Sequence, residues 1–433
     1  MTVGVHSQAW REPCVWIWSC TNIVASAPFR AFTSSHMITV DQALTIVLGQ
    51  VEPLGSEAVA LEHAHGRILA EAVRADIDLP PFDRARMDGY AVRSSDVSSA
   101  PIELRVVGEI AAGAQFDGIV NAGEAVKIFT GAPVPAGADA VQKVEVTRTH
   151  ENIVEIREPV TPGQFITPQA SEVASGETVA EAGREIGPAE MAVLASFGYS
   201  SVKVGRRPRV AVMSTGSELV DVSTKPAGAQ IRNSNSYTLG AYAVRAGAIA
   251  DSPGTVRDTL EATRDALISA ADNRDIVITS GGVSMGDYDL VKAALKEIGA
   301  EIYFDKVIIR PGKPIVFARR GSTYFFGLPG NPVSTSVTFS VFVRPAIRKM
   351  QGETPPAPAA VSAELSRAVK DLSSRRSYLP GRLSVDRGRA MIEPLKWGGS
   401  SDLVAFMRAN ALIVVPEEVH EIPEGELVDA MLL

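Results

Sequence analysis

The sequence predicts a multidomain α/β plus β protein, in which a doubly wound, mostly parallel α/β domain over 206–353 is flanked by small β domains. Three observations predict it. Apolar strand-like runs alternate with helix-like runs between about 206 and 352. Short β-rich segments broken by Gly, Pro and Asn fill 77–162 and return over 359–433. A chain of 433 residues also exceeds what one hydrophobic core serves, so two to four domains are expected.

Along the chain, residues 1–36 differ from the rest. They hold Trp10, Trp16 and Trp18, both cysteines (Cys14 and Cys20) and one acid, Glu12. We expect the native chain to start at Met37, with the upstream stretch disordered or a mis-assigned start. Thr39 and Gln42 fit a capping box, followed by Leu44, Val47, Leu48 and Val51 at helical spacing. A second helical stretch is expected near 58–72, ended by Pro80 and Pro81. Segments 37–76 and 163–205 read as a mixed helical and strand linker domain, with a helix over Pro188–Ser196. Between them, LRVVGEI, EAVKIFT, DAVQKVEV and NIVEIREPV make the small β domain 77–162.

The α/β domain then begins with RVAVMS (209–214), a glycine loop and a helix from about Ser234. DIVITS (275–280) leads through GGVSMGDYD to a helix near 287–298. Strands follow near 301–309, 314–319 and 323–327, and LPGNP (328–332) opens a helix reaching about 350. TPPAP (354–358) marks the boundary to a C-terminal β domain, 354–433.

Composition removes several function classes. A net charge of −8 argues against bulk binding of nucleic acid or an anionic membrane. No cysteine follows Met37, which excludes a thiol nucleophile, thiolate metal site or internal disulfide from the main body and fits a reducing, cytoplasmic compartment. No apolar run is long enough to span a bilayer. His63 and His65 read as a polar surface pair rather than as metal ligands.

In an open α/β sheet, ligands sit beyond the carboxyl ends of the strands. Three loops would meet there: STGSE (Ser214, Thr215, Gly216), SGGVSMGDYD (Ser280, Gly281, Gly282, Ser284, Gly286) and LPGNPVS (Pro329, Gly330, Asn331). Glycine lets backbone N–H groups approach an anion. The same region carries the acids Glu218, Asp258, Asp287 and Asp289 and the cations Lys306, Arg310 and Lys313, with Gly312 in the turn between the last two. Acids beside an anion loop require a hard cation such as Mg²⁺ between them and the ligand; otherwise they cap helices. GKP at 312–314 is not a nucleotide P-loop, and no G-x-G-x-x-G follows a strand. In the first β domain, FDRARMDGYAV (82–92) and FTGAPVPAGADAV (129–141) are stiffened turns carrying Asp83, Asp88 and Thr130. Nothing in their spacing says that they act together.

MDGYA, TGAPVP, STGSEL, SGGVSMGDYD, RPGKP and GLPGNPVS, in this order and spacing, resemble the molybdopterin molybdenumtransferases, the MoeA and gephyrin E-domain family, over about 37–433. The resemblance implies an α/β domain of molybdopterin-binding type in an elongated subunit, and a homodimer whose site lies between the α/β domain of one subunit and the first β domain of the other. It implies transfer of molybdate to adenylylated molybdopterin with release of AMP, using Mg²⁺. Contact with the molybdopterin adenylyltransferase and with client molybdoenzymes would follow.

Carried over by position, Asp88, Thr130, Glu218, Asp258, Asp289 and Lys306 are the catalytic candidates. Glu218 and Asp289 would hold the metal, while Lys306, Arg310 and Lys313 attract molybdate and the pterin phosphates. Arg376 and Ser400 match site residues of the last domain. The chain departs from the family pattern at Arg84, Ala85, Arg86, Ser217, Arg310 and Ser401. The largest departure is GQFITPQASEV (163–173), where Thr167, Pro168, Gln169 and Ser171 stand in a usually charged stretch, leaving only Glu172. These changes imply a divergent member, with Arg84 and Arg86 as candidates to replace the lost arginines. Two other readings compete: a molybdopterin adenylyltransferase and a non-catalytic carrier of the cofactor.

Overall fold

The computed structural model describes residues 37–111, 113–283, 289–356, 360–370 and 373–433. The expectations for residues 1–36, Ser284, Gly286 and Asp287, and for part of the TPPAP linker, fall outside the described residues. The chain divides into two units, one of Gly205–Leu433 with the residues up to Ser56, the other of Glu57–Val204.

The first unit is organised by a six-stranded sheet. Its strands are β1 (Arg209–Thr215), β2 (Ile249–Val256), β3 (Ile276–Ser280), β4 (Glu301–Lys306), β5 (Pro314–Arg320) and β6 (Thr323–Leu328), in the order β2-β1-β3-β6-β5-β4. The first four in that order run parallel; β5 and β4 are antiparallel additions at one edge. Side chains alternate between two buried layers, as the period of a strand requires. Val210, Val212, Ile276 and Ile278 face one layer, and Ala211, Met213 and Val277 the other.

Four helices pack in the first layer on one face: α1 (Val40–Gln50), α2 (Asn235–Arg245), α5 (Pro332–Thr338) and, past a wide turn, α6 (Arg344–Met350). On the other face lie α3 (Leu260–Ala271) and α4 (Leu290–Glu297). Fully buried Phe317 and Phe326 anchor the first layer, each contributing about 2–3 kcal/mol by burial.

α1 starts as its sequence requires. Thr39 Oγ1 accepts from the Gln42 amide at 3.2 Å, and the Gln42 side chain accepts from the Thr39 amide at 3.0 Å. Val40, Ala43 and Val47 then point into the core. Thr39→Ala should lower stability by about 1 kcal/mol, read as a shift of the urea midpoint at unchanged slope.

The rest of this unit is a small barrel. Strands Ala360–Leu365, Arg376–Asp386, Arg389–Pro394, Ala411–Val415 and Leu427–Leu432 close on themselves, because Arg376–Asp386 pairs with both Arg389–Pro394 and Ala411–Val415. Ile309–Arg310 joins it as a parallel neighbour of Arg376–Ser377.

In the second unit, a six-stranded sheet runs in the order Ala140–Lys143, Gly89–Val92, Glu124–Ile128, Ile102–Ile110, Ile153–Ile156 and Thr147–His150. A helix stands at Pro188–Ser196, with proline at its first turn.

One sequence expectation is corrected. The stretch 58–72 is not helical: Ser56–Ala60 is a strand hydrogen-bonded to Ser201–Gly205, followed by a short 3₁₀ turn at Leu61–His63. Pairing with a distant strand overrides the local helical pattern. The sequence reading also passed over α3, although Thr259 caps it by accepting from the Ala262 amide at 3.2 Å. Among the described residues, no helix is long and apolar enough to cross a membrane.

Candidate functional site

The loops after β1, β3 and β6 converge at one end of the parallel sheet. They line a cleft of about 1110 Å³ in the first unit. Of the residues expected from sequence, Thr215, Gly216, Glu218, Asp258, Ser280, Gly281 and Gly282 line it on one side. Arg310, Gly312, Lys313, Pro329, Gly330, Asn331 and Ser400 complete it.

The glycines are required where chain approaches chain. Gly281 and Gly282 have φ of +92° and +67°. A Cβ on Gly281 would lie 2.5 Å from the Thr215 carbonyl oxygen, so the turn after β3 sits directly on the end of β1. Beneath that turn the Thr215 hydroxyl is buried without a hydrogen-bond partner among the described residues.

The cleft carries both signs of charge. Arg310 and Lys313 come from the turn before β5. Arg375 is a third cation, which the sequence reading did not single out; its Nη1 donates to the Ile309 carbonyl at 3.2 Å. Against these stand Glu218 and Asp258. Asp258 accepts from the Ser217 amide at 3.0 Å and so braces the loop that carries Glu218. Ser400 is fastened to the turn after β6: its hydroxyl accepts from Asn331 Nδ2 at 2.9 Å, and its carbonyl accepts from the Val333 amide at 3.0 Å. Asn235 and Trp397 also line the cleft and were not foreseen. The polar run IRNSNS at 231–236 was the only local signal for Asn235.

Four expected residues stand elsewhere. Ser214 is buried under the cleft, bonded to Asn233 Oδ1 at 3.1 Å and Ser236 Oγ at 2.8 Å, where it supports the start of α2. Arg376 is turned away by two acids. It donates to both Asp41 oxygens at 2.6 and 2.8 Å and to Glu417 at 3.0 Å, and this pairing holds its pKa above the usual arginine value against the opposing effect of burial. The neighbouring Arg375 takes the cleft position. Asp289 caps α4, accepting from the Lys292 amide at 3.3 Å. Burial pushes its carboxyl up, partly offset by the Lys292 amide bond and by the charges of Lys292 and Lys306. Asp289 and Lys306 thus share one neighbourhood, with the Lys292–Asp305 ion pair beside them, and do not line the cleft described above. Among the described residues, no group of three or more His, Cys, Asp or Glu is placed to hold a metal.

In the second unit, the two turns that sequence spacing could not connect are joined. Asp88 Oδ1 accepts from the Thr130 amide and from the Thr130 hydroxyl, both at 2.7 Å. The amide bond first, and the hydroxyl second, hold the Asp88 carboxyl below its ordinary value. The altered 163–173 stretch is held by one neutral side chain and one ion pair. Gln169 donates from its backbone to Asp83 and from its side chain to Asp78, each at 2.7 Å, while Arg84 pairs with Glu172 at 3.0 Å.

A depressed carboxyl favours the folded state above the ordinary carboxylate range, and that contribution is lost as pH falls through the folded value. The Asp88 titration should therefore show a midpoint below 3.8. Thr130→Ala, which leaves the amide donor, should raise it only part of the way; carboxyl NMR reads both.

Comparison with known proteins agrees with this layout. Residues 38–198 match the family model of the MoeA N-terminal region (domain I and II), 211–349 that of a probable molybdopterin binding domain, and 362–433 that of the MoeA C-terminal region (domain IV). The chain is 35% identical over 399 residues to the molybdopterin molybdenumtransferase of Staphylococcus aureus, covering 91% of this chain and 95% of the relative. It is 39% identical over 404 residues to the enzyme of that name from Nostoc sp., covering 90% and 92%. The crystal structure of the molybdopterin biosynthesis MoeA protein from Pyrococcus horikoshii OT3 superposes with a TM-score of 0.79 at 29% identity, covering 92% of this chain and all of that one.

Proposed function

We propose, because the chain belongs to the molybdopterin molybdenumtransferase family, that it inserts molybdate into adenylylated molybdopterin and releases AMP. The observation that carries this reading is the cleft in which three strand-end loops meet Arg310, Lys313 and Arg375. Its volume of about 1110 Å³ exceeds the roughly 300–1,000 Å³ common for a single small ligand. It therefore suits a substrate that carries a pterin and a nucleotide together.

The three cations draw in the oxyanion and the substrate phosphates, and the backbone amides of the glycine turns hold them in place. Glu218 and Asp258 face the same space. Two carboxylates among anion-binding groups suit Mg²⁺, which takes one or two protein carboxylates and fills its shell with phosphate oxygens and water. Bound there, the ion would neutralise phosphate charge. The work of this chain is positioning and charge compensation, and no side chain forms a covalent bond. We read Asp88 and Thr130 as a further site group of the same reaction. The family resemblance also supports a homodimer, exchange with the adenylyltransferase and client molybdoenzymes, and a cytoplasmic setting.

The test is AMP release from adenylylated molybdopterin. Release that requires molybdate and Mg²⁺ supports the proposal. A carrier reading is favoured by the neutral Gln169 segment, and tight binding without turnover would establish it instead.

A further inference from the structure

Asn235, at the start of α2, has an orientation fixed by chemistry. Its Nδ2 donates to the Gly330 carbonyl and to Ser280 Oγ, both at 2.7 Å. A carbonyl can only accept, so the atom facing Gly330 has to be the nitrogen. Ser280 Oγ donates in turn to the Pro329 carbonyl at 3.2 Å, which leaves its lone pair for Asn235. Both amide hydrogens are thus spent on tying the turn after β3 to the turn after β6. The outward atom is Oδ1, which has no hydrogen-bond partner among the described residues, on a side chain that lines the cleft.

An acceptor held in this way discriminates. Phosphate and molybdate present oxygen lone pairs at neutral pH and gain nothing from it. A heteroaromatic ring with an N–H donor does gain, and a ring whose donor is blocked leaves the amide oxygen unpaired. We propose that Asn235 is a specificity residue whose Oδ1 accepts from an exocyclic amino group of the substrate's heteroaromatic part. The anionic groups of the substrate are then left to Arg310, Lys313 and Arg375. The inference rests on reading the cleft as the pterin and nucleotide site. The adenylylated substrate offers two such amino groups, one on the pterin and one on the adenine.

The experiment measures equilibrium binding of four probes to the full chain. They are 2-amino-4-oxopteridine and its 2-dimethylamino form, and AMP and its N6,N6-dimethyl form. The wild type should lose about tenfold in affinity when one of the two rings is dimethylated, and which ring it is identifies the amino group read. Asn235→Ala should bind both members of that pair within about twofold of each other. The ratio is taken within one protein, so loosening of the two turns cancels from it. Asn235→Ser, too short to reach the same donor, replaces the alanine variant should that one unfold.

Discrimination that persists in both variants overturns the inference. So does a wild type that binds the parent compounds and tolerates both dimethyl forms, and in either case the proposed function stands. A wild type that binds neither parent compound overturns both.

Discussion

Glu218→Ala should lower molybdate-dependent AMP release by about 10²–10³-fold, the scale seen when one charge-stabilising group is removed from a preorganised site. Glu218 follows β1 by three residues, and its carboxylate folds back over Gly216, where an added Cβ would lie 2.8 Å from its oxygens. Asp258 holds the same loop through the Ser217 amide. The Glu218 side chain is exposed and has no ion-pair partner among the described residues, so the loss belongs to chemistry rather than to folding. Glu218→Gln keeps the shape and removes the charge. It should lose nearly as much if charge compensation is the role. Single-turnover release of AMP, with thermal melting as a control, reads the effect. Turnover of either variant within threefold of wild type would remove Glu218 from the site.

Gly89→Ala should be the most damaging single methyl group in the second unit. The strand Gly89–Val92 lies between Glu124–Ile128 and Ala140–Lys143 and is buried throughout. A Cβ at Gly89 would stand 1.8 Å from the Gln142 carbonyl oxygen, and that neighbour is backbone, not a side chain that can swing aside. The strands have to part, at roughly 3 kcal/mol or more. Asp88 would move with them, so its bond to Thr130 should fail as well. Gly49→Ala is the contrast. It lies inside α1 with nothing within 4 Å of the added atom, and it should leave stability unchanged or raise it by up to about 1 kcal/mol. Urea unfolding of the two variants should separate them by several kcal/mol. Equal midpoints would refute the close approach at Gly89.

The parts of the fold that could be read from sequence were those written in local patterns. The capping box at Thr39, the proline-started helix Pro188–Ser196 and the alternating strands of the α/β sheet stand as expected. The error at 58–72 has a long-range cause, since the partner of Ser56–Ala60 lies more than 140 residues later in the chain. The site followed the same division. The glycine-rich loops bring Thr215, Gly281 and Gly330 to one cleft, because a glycine-rich turn at a strand end is a local device. The choice between Arg375 and Arg376 was not local. It depends on Asp41 and Glu417, which capture one of two adjacent arginines and leave the other to the cleft. Likewise the family resemblance grouped Lys306 with Glu218, whereas strand order sets β4, which ends at Lys306, at the far edge of the sheet from β1 and β2.

The route of the chain sets the order in which it matures on the ribosome. α1 is synthesised early, but the core that covers Val40, Ala43 and Val47 includes Phe326, Ile347 and Met350. Its partners leave the exit tunnel some 300 residues later. The Glu57–Val204 unit, by contrast, is complete as soon as its last residue emerges and can fold as a body on the nascent chain. Throughout that interval α1 is an amphipathic segment without a core to bury in, and arrest of translation once residue 204 has cleared the exit tunnel would leave it as an exposed, chaperone-accessible part of the nascent polypeptide.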